Sequence, residues 1–290
     1  MRVGMIGLGL LGGALAERLI HSAHEVIGFD LSAERRDELA RRGGRPATSS
    51  IEAAQCDVLL FSLPDAKVVL EVLAEIGPAL RAGQLVVDTT TGDPSDSAEI
   101  GVKLAARDIA FVDATIAGSS VQARAGQAII LAGGTSAAFA ACRELFAAIG
   151  SRAFHVGPWG AGAKMKLVVN LALGLNRAVL AEALTLASAL ELDERRALEI
   201  LKASPAYSTV MDTKGQKMVT REYSPQARLS QHLKDVRLML AAAERTGTDL
   251  PLSTLHQQLL ERAEAAGLGE LDNSAIRELF RPPAGPAMPE

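Results

Sequence analysis

The sequence has 290 residues, with 48% hydrophobic residues, 22% charged residues and a formal net charge of −4 at pH 7. This composition is ordinary for a globular chain long enough for two domains, and the charge balance gives no basic footprint for nucleic acid or an anionic membrane. Cys56, Cys142 and the five histidines show no metal-ligand or disulfide spacing. We therefore expect no metal ion and a reducing, cytoplasmic compartment.

The chain begins with a predicted strand, a glycine-rich turn and a helix. The strand is Val3–Gly7, the helix is Leu10–Ile20, and Gly7-Leu8-Gly9-Leu10-Leu11-Gly12 between them has the spacing G-x-G-x-x-G. Glycines at such a turn permit a tight bend and the close approach of a pyrophosphate, which then lies on the N–H groups of the helix N-terminus. The glycines also argue against a secretory signal in the same stretch.

A second predicted strand, His24–Phe29, ends at Asp30, eighteen residues after Gly12. A carboxylate at this place can accept hydrogen bonds from ribose hydroxyls and would repel a 2′-phosphate, so the sequence favours NAD over NADP. Arg35 and Arg36 could soften that preference. Alternatively, Asp30 is a helix N-cap and the two arginines belong to a solvated helix face.

Strands and helices alternate up to about residue 156. Further strands are predicted at Asp57–Leu63, Leu85–Asp88, Ile109–Asp113, Ala128–Leu131 and Ala153–Val156, and helices at Ala33–Arg42, Ala66–Ile76, Ser95–Ala106 and Ala137–Ile149. This order is typical of an α/β Rossmann-type fold with a doubly wound, mostly parallel sheet. Ligands bind beyond the carboxyl ends of such strands, so the loops that contain Leu63, Pro64 and Thr91 could line a cofactor site. Each loop could equally be a turn with a helix cap.

After residue 156 the predicted strands stop. Residues 163–190 form one long predicted helix, followed by helices near Glu194–Ala203, Leu229–Thr246, Ser253–Ala266 and Ser274–Phe280. We predict a dinucleotide-binding domain over residues 1–160 and an all-helical substrate and oligomerisation domain over residues 161–290, entered through the long helix. The tail Arg281–Glu290, with four prolines, is expected to be frayed or packed on a partner subunit.

The long helix is apolar on all its faces, which predicts burial among other elements. Before about 20 apolar residues accumulate, as a membrane span needs, it is interrupted by Asn170, Asn176, Arg177 and Glu182. Lys166 and Asn170 are four residues apart and share one face. Because burial disfavours the charged form of a lysine and lowers its pKa, a buried amine is suited to proton transfer near neutral pH. Alternatively, Lys166 reaches solvent and Asn170 caps a backbone group.

Four segments, in order along nearly the whole chain, resemble the β-hydroxyacid dehydrogenases, the 3-hydroxyisobutyrate dehydrogenase-like family. The glycine loop is the first. The second, Asp113–Ser119 followed by Ala123 and Gly126, is similar to the family's D-A-P-V-S-G-G segment. The others are Gly160–Asn170, which matches G-x-G-x-x-x-K-x-x-x-N, and Lys234-Asp235-Val236, which resembles K-D-L. Asp88–Pro94 is similar to a further turn, D-x-S-T-x-x-P.

The resemblance implies an NAD-dependent oxidoreductase that transfers a hydride between a nicotinamide cofactor and a small 3-hydroxy acid, or its semialdehyde or keto counterpart. Lys166 would be the general acid/base, and Asn170 would hold the reacting oxygen. The residues implied to bind the cofactor are Gly7, Leu8, Gly9, Leu10, Leu11, Gly12, Asp30, Leu63, Pro64, Thr91 and Lys234. Those implied to bind the substrate are Ala117, Gly118, Ser119, Lys166, Asn170 and Asp235.

The substrate segment departs from the family pattern. Ala117 replaces a serine and Ser119 replaces a glycine, so the acid group of the substrate is not predicted. The turn Gly118–Ser119 is expected to offer backbone N–H groups and a hydroxyl to a carboxylate. Alternatively, Ser119 is a helix N-cap and Lys234 pairs with Asp235 or Glu244.

Three other functions compete with the dehydrogenase. Imine reductases of the same superfamily use NADPH, and the resemblance implies that they lack the lysine; phosphogluconate dehydrogenases are longer; a dinucleotide-binding sensor would not need an intact Gly160–Asn170 block. We expect a homodimer or homotetramer. The sequence specifies neither the hydroxy acid, the physiological direction, strict NAD use, nor dimer against tetramer.

Overall fold

The computed structural model describes residues 1–280, so the expectation for the tail Arg281–Glu290 lies outside the described residues. The chain divides into two compact units, Met1–Val168 and a second that begins at Val169. The first is an α/β unit and the second is helical.

The first unit is built on one eight-stranded sheet with the order β3-β2-β1-β4-β5-β6-β7-β8. The strands are β1 (Arg2–Ile6), β2 (Glu25–Phe29), β3 (Arg45–Pro46), β4 (Val58–Phe61), β5 (Leu85–Asp88), β6 (Ala110–Ala117), β7 (Ile129–Gly134) and β8 (Arg152–Gly157). Among the described residues, neighbouring strands are parallel except β6 and β7, which are antiparallel. The predicted Rossmann-type, mostly parallel sheet is confirmed, with its switch in strand order between β1 and β4.

Helices cover both faces of this sheet. They are α1 (Leu10–His21), α2 (Ala33–Arg41), α3 (Ser50–Ala53), α4 (Ala66–Ile76), α5 (Pro94–Ala105), α6 (Ser120–Arg124), α7 (Ser136–Ala141) and α8 (Arg143–Ile149). One apolar layer includes Met5 of β1 and Leu15 of α1; the other includes Phe61 of β4, Val69 of α4 and Ile100 of α5. Side chains alternate between the two faces of a strand, and both faces of this sheet are covered by helices. The central strands are therefore buried on both sides, and their sequences are continuous apolar runs.

Strand β6 differs from its prediction in a way that matters for the site. It continues to Ala117 rather than ending at Asp113, because residues Val112–Ala117 pair in antiparallel register with Gly134–Ile129 of β7. Its parallel neighbour β5 ends opposite Asp113, where Asp88 is the partner. Residues 114–117 therefore extend beyond the edge at which β5 stops.

The second unit contains the long helix and four others, as well as a 3₁₀ segment. They are α9 (Ala161–Ala189), which begins in the first unit, α10 (Glu194–Ala203), α11 (Thr209–Thr220), α12 (Leu229–Arg245), α13 (Pro251–Ala265) and the 3₁₀ segment Asn273–Phe280. The predicted all-helical character is confirmed. Helix α11 was not predicted, and the last predicted helix is a 3₁₀ segment.

The prediction that α9 is buried on every face is wrong. Val168, Val179 and Leu186 are 59%, 62% and 60% exposed, whereas Lys166 and Asn170 are each 8% exposed. The helix therefore has a polar residue pair on a buried side and an apolar stripe on an exposed side. By length and composition alone α9 could cross a bilayer, a property that core helices of globular proteins share.

Gly174 of α9 allows close packing inside the helical unit. A Cβ at this position would lie 2.5 Å from Nε2 of His232 on α12 and 2.8 Å from Cε1 of His256 on α13. The two imidazole rings lie 5.2 Å apart between centroids. Burial, together with the smaller effect of the Arg177 charge, lowers the pKa of His256 from 6.5 to about 4.

We expect mild acid to destabilise the protein through His256. The unfolded chain binds the proton near pH 6.5 and the folded chain only near pH 4, so the stabilisation is complete above pH 6.5 and is lost as the pH falls toward 4. Because His256 binds a proton in the unfolded chain before it does in the folded chain, lowering the pH from 7 to 5 should lower the free energy of unfolding by about 2 kcal/mol. Urea unfolding at both pH values measures this loss. It should shrink in His256→Gln and persist in His21→Gln, a change at an exposed histidine; equal losses in both variants would contradict the assignment.

Candidate active site

The glycine-rich segment joins β1 to α1. Gly7 has a φ of +94°, and a Cβ on Gly12 would lie 2.1 Å from the Gly7 carbonyl oxygen. Gly9 is exposed, and a Cβ there would meet no described atom within 4 Å. Gly9 is also the N-cap of α1, without a side-chain cap in the described chain. The turn and its packing thus require Gly7 and Gly12, and Gly9 leaves bare backbone at a helix N-terminus, which fits a pyrophosphate.

Asp30 is held beside this loop. Its Oδ2 accepts the Leu8 N–H at 2.8 Å and its Oδ1 accepts the Ser32 N–H at 2.9 Å. Ser32, rather than Asp30, is the N-cap of α2, so the alternative assignment of Asp30 is wrong. Each carboxylate oxygen retains a second lone pair with which to accept a ribose hydroxyl.

The two arginines after Asp30 are engaged near α2. Arg35 pairs with Glu38 at 3.0 Å. Arg36 donates from Nη1 to the main-chain carbonyl of Asp30 and, at 3.2 Å, to that of Leu31. These contacts agree with a role for both arginines in the local structure of the helix.

The loops after β4 and β5 lie side by side at the carboxyl edge of the sheet. The Leu63 N–H donates to Thr90 Oγ1 at 3.1 Å, and the Thr90 N–H donates to Asp88 Oδ1 at 2.9 Å. A Cβ on Gly7 would lie 2.3 Å from the carbonyl oxygen of Ser62, so the first of these loops also packs on the glycine turn. The structure thus brings three predicted cofactor segments together; Pro64 is exposed and Thr91 is half-buried at this edge.

Lys166 is buried near the start of α9. Its Nζ donates to the carbonyl oxygen of Ile116 on β6 at 2.6 Å. The alternative in which Lys166 reaches solvent is therefore wrong. The contact joins the predicted catalytic block to the predicted substrate segment, fifty residues apart in the sequence.

Asp113 also connects β6 to α9, and the sequence reasoning gave it no role. Its Oδ1 accepts the Gly160 N–H and its Oδ2 accepts the Ala163 N–H, each at 2.9 Å. Burial raises the pKa of Asp113, and this effect outweighs the hydrogen bonds from backbone N–H groups, including that of Gly162, which lower the pKa. A lone carboxylate at the end of the predicted apolar strand Ile109–Asp113 was the available signal.

The turn after β6 corrects one expectation about the substrate carboxylate. The Ser119 N–H donates to Oε1 of Gln122 at 2.9 Å, and Ser119 Oγ accepts the Gln122 N–H at 3.3 Å. Ser119 is thus the N-cap of α6 in a capping box, and its N–H is already used. Its hydroxyl hydrogen can still be donated, and Gly118 beside it has a φ of +149°. The S-x-x-Q spacing was the signal for Gln122 that the sequence reasoning missed.

In the second unit, Asn170 and the Lys234–Asp235 pair form one group. Asn170 Nδ2 donates to Asp235 Oδ2 at 2.8 Å, and Lys234 Nζ lies 3.3 Å from Asp235 Oδ1. The alternative in which Lys234 pairs with Asp235 is correct, and Asn170 bonds to a carboxylate rather than a backbone group. Since α9 is continuous from Lys166 to Asn170, both lie on one helix face. The roles of Lys234 and Asp235 toward cofactor and substrate stay predictions.

Comparison with known proteins matches the chain in two parts, which meet near the start of α9. Residues 2–157 match the family model described as the NAD binding domain of 6-phosphogluconate dehydrogenase. Residues 160–280 match the model described as the NAD-binding domain of NADP-dependent 3-hydroxyisobutyrate dehydrogenase. Together the two models span nearly all the described residues.

Two relatives and one solved structure match this chain over almost their whole length. The chain is 31% identical over 285 residues to glyoxylate/succinic semialdehyde reductase 1 of Arabidopsis thaliana, covering 97% of this chain and 99% of that protein. It is 31% identical over 290 residues to 2-(hydroxymethyl)glutarate dehydrogenase of Eubacterium barkeri, covering 98% and 96%. The crystal structure of a 3-hydroxyisobutyrate dehydrogenase from Salmonella typhimurium has a TM-score of 0.90 at 26% identity, covering 97% and 100%. The chain therefore belongs to the β-hydroxyacid dehydrogenase family and is an NAD(P)-dependent oxidoreductase that acts on a CH–OH group.

Proposed function

We propose that this enzyme transfers a hydride between a nicotinamide cofactor and a small 3-hydroxy acid, or the matching semialdehyde or keto acid, with Lys166 as general acid/base. The observation that carries the proposal is the burial of Lys166 with its Nζ 2.6 Å from the Ile116 carbonyl oxygen, next to the segment expected to bind substrate. The names of the relatives add support, because they specify glyoxylate, succinic semialdehyde and 2-(hydroxymethyl)glutarate, all small acids.

The chemistry of Lys166 follows from two opposing effects. Burial favours the neutral amine, whereas donation to the Ile116 carbonyl favours the ammonium form. The neutral amine can take the proton of a substrate hydroxyl, and the ammonium can return a proton to a carbonyl oxygen. When bound, the nicotinamide would accept or donate the hydride at the substrate carbon that carries this hydroxyl or carbonyl oxygen. In this scheme one residue serves both directions.

Other residues would orient the substrate. The Asn170 amide is fixed by its bond to Asp235, which leaves the amide oxygen as the end that can accept a substrate hydroxyl. The Ser119 hydroxyl can donate to a carboxylate, and Ala117 contributes no polar side chain. Because the lysine is present and the relatives named above reduce or oxidise hydroxy acids and semialdehydes, the imine reductase and non-catalytic sensor alternatives are not favoured.

Replacing Lys166 tests the mechanism. Lys166→Ala should lower the rate of hydride transfer by about two to four powers of ten because proton transfer is lost, while cofactor binding, followed by the fluorescence of the single tryptophan, stays within about twofold of wild type. Lys164→Ala, at an exposed lysine two residues earlier, should behave as wild type. The assay follows cofactor reduction or oxidation with serine, glycerate, 3-hydroxypropionate, 4-hydroxybutyrate, sulfonated analogues, glyoxylate and succinic semialdehyde. Unchanged turnover in Lys166→Ala would defeat the proposal.

We also propose that NAD is preferred over NADP. The support is Asp30, whose carboxylate is fixed against the glycine loop by the Leu8 and Ser32 N–H groups and would repel a 2′-phosphate. We expect kcat/KM to be higher with NAD, and Asp30→Ser to reduce the ratio of the two values by about tenfold or more, since repulsion of one charge is removed. Asp37→Ser, at an exposed carboxylate of α2, is the control. Equal or faster initial rates with NADP in the wild type would show that Asp30 does not select the cofactor.

A homo-oligomer, dimer or tetramer, in a reducing cytoplasm is our proposal for the assembly and its location. Both cysteines are free and buried, which suits such a compartment. The exposed stripe of α9 continues to Leu190, which is 62% exposed, and a second copy of the chain that covers it would remove this apolar surface from water. Leu186→Glu should therefore lower the mass measured by sedimentation, whereas Val102→Glu, at an exposed valine of α5, should not. A monomeric wild type would contradict the proposal.

A further inference from the structure

Three residues of β6 form hydrogen bonds with the start of α9. Asp113 accepts N–H groups of Gly160 and Ala163, Thr115 donates to the carbonyl of Gly162, and Ile116 accepts the Lys166 ammonium or amine. All of these contacts lie within the first compact unit. The helix that carries the proposed acid/base is thus attached to the strand at two residues that precede the contact of Lys166 itself.

Asp113 acts as a remote cap of α9. The first N–H groups of a helix have no partner within the helix, and two of them here are satisfied by a carboxylate from a strand. There is no free space around that carboxylate: a Cβ on Gly133 would lie 2.5 Å from Oδ1, and a Cβ on Gly162 would lie 2.8 Å from Oδ2. A negative group at a helix N-terminus also interacts favourably with the helix dipole. The carboxylate therefore fixes the position of the first turn of α9 relative to β6.

Thr115 provides a second, independent attachment. It is fully buried, and its Oγ1 lies 3.0 Å from the Gly162 carbonyl oxygen and 3.4 Å from that of Leu131. The D-A-P-V-S-G-G segment of the family has proline at this position, which has no hydroxyl to donate. The bond to Gly162 is therefore a feature of this chain's own sequence.

We propose that Asp113 and Thr115 are positioning residues that set the placement of α9 along its axis, and through it the distance between Lys166 and a substrate oxygen. Ala163 and Lys166 are three residues apart, about 4.5 Å along the axis, so a displacement of the first turn is transmitted directly to the lysine. A misplacement of about 1 Å at a catalytic group can cost about a hundredfold in rate. This inference rests on the proposed role of Lys166.

The test compares variants of nearly equal shape in the full-length protein. Thr115→Val removes the hydroxyl and keeps the volume, whereas Thr115→Ser keeps the hydroxyl; Asp113→Asn keeps the shape and removes the charge. We expect kcat to fall about tenfold or more in Asp113→Asn and about threefold to tenfold in Thr115→Val, and to stay within about twofold of wild type in Thr115→Ser, with the KM for cofactor unchanged in all three. Ser50→Ala, which removes another buried hydroxyl of the same unit, controls for loss of stability and should keep the wild-type kcat.

Two readouts separate positioning from a merely structural effect. The solvent deuterium isotope effect on kcat should rise in Asp113→Asn and Thr115→Val, because a misplaced lysine makes proton transfer slower, and it should not rise in Ser50→Ala. Hydrogen exchange of the peptide that spans residues 160–166, measured without cofactor or substrate, should be faster in the same two variants. If Asp113→Asn does not fold, the Thr115 pair decides alone.

The possible failures are distinguishable. If Lys166→Ala turns over normally, the proposed function falls and this inference falls with it. If Lys166 is needed for turnover but Thr115→Val and any folded Asp113→Asn keep the wild-type kcat and isotope effect, the inference alone is overturned, even where hydrogen exchange shows that the contacts were lost.

Discussion

The hydrogen bond from Lys166 to the main chain of β6 is the interaction on which the candidate active site depends. Removing an ammonium group from water costs several kcal/mol, and a hydrogen bond from it to a carbonyl oxygen contributes about 1 to 3 kcal/mol in return. A lysine in such a place gives less stability than an apolar side chain of similar volume would. Its 2.6 Å contact with Ile116 is therefore consistent with the proposed role in proton transfer, for which the surrounding structure has to hold the amine in place.

The sheet achieves this by an irregularity at β6. The strand pairs with β5 up to Asp113 and with β7 from Val112 onward, so beyond Asp113 only β7 remains as a neighbour. Helix α9 begins against β6 and β7, where a Cβ on Gly162 would lie 2.4 Å from the carbonyl oxygen of Leu131 and 2.5 Å from that of Asp113. Its first turn forms hydrogen bonds with Asp113 and Thr115. The pairing of Val112–Ala117 with β7 supports this extension of the strand beyond the end of β5.

Features that depend on local pattern could be predicted from the sequence, and features that depend on distant partners could not. The apolar strands, the glycine turn and the Lys166–Asn170 spacing were predicted because each is readable within a few residues. Helix α11 was missed because its β-branched residues and Gly215 have low helix propensity. It forms because Gly215 lets Leu198 of α10 approach, so closely that a Cβ would lie 2.6 Å from the leucine, and because Lys214 pairs with buried Asp272 at 2.8 Å.

The exposed stripe of α9 shows a related limit. Alanine, valine and leucine occupy every face of this helix, so hydrophobicity alone does not distinguish a face packed inside the chain from one left at the surface. The polar residues do not distinguish them either: Lys166 and Asn170 are buried, whereas Asn176 and Glu182 of the same helix are exposed. Which face of α9 is buried therefore depends on packing against distant parts of the chain, which the pattern within the helix does not specify.

The turn after β6 explains why reaction chemistry is easier to assign than the substrate. Compared with the family's segment, this chain has alanine at position 117 in place of serine and serine at position 119 in place of glycine. The side-chain hydroxyl therefore stands two residues later in the sequence. In an extended strand residues two apart share a face, and the move would then preserve a carboxylate contact. Here Gly118 has a φ of +149°, which interrupts the extended alternation, and Ser119 accepts the Gln122 N–H at the start of α6. The two hydroxyls are therefore not equivalent. In the proposed function, the lysine, its strand contact and the glycine loop would serve the hydride chemistry of the family, while the acid group would be recognised by the backbone of Gly118 and by a serine that also serves as a helix cap.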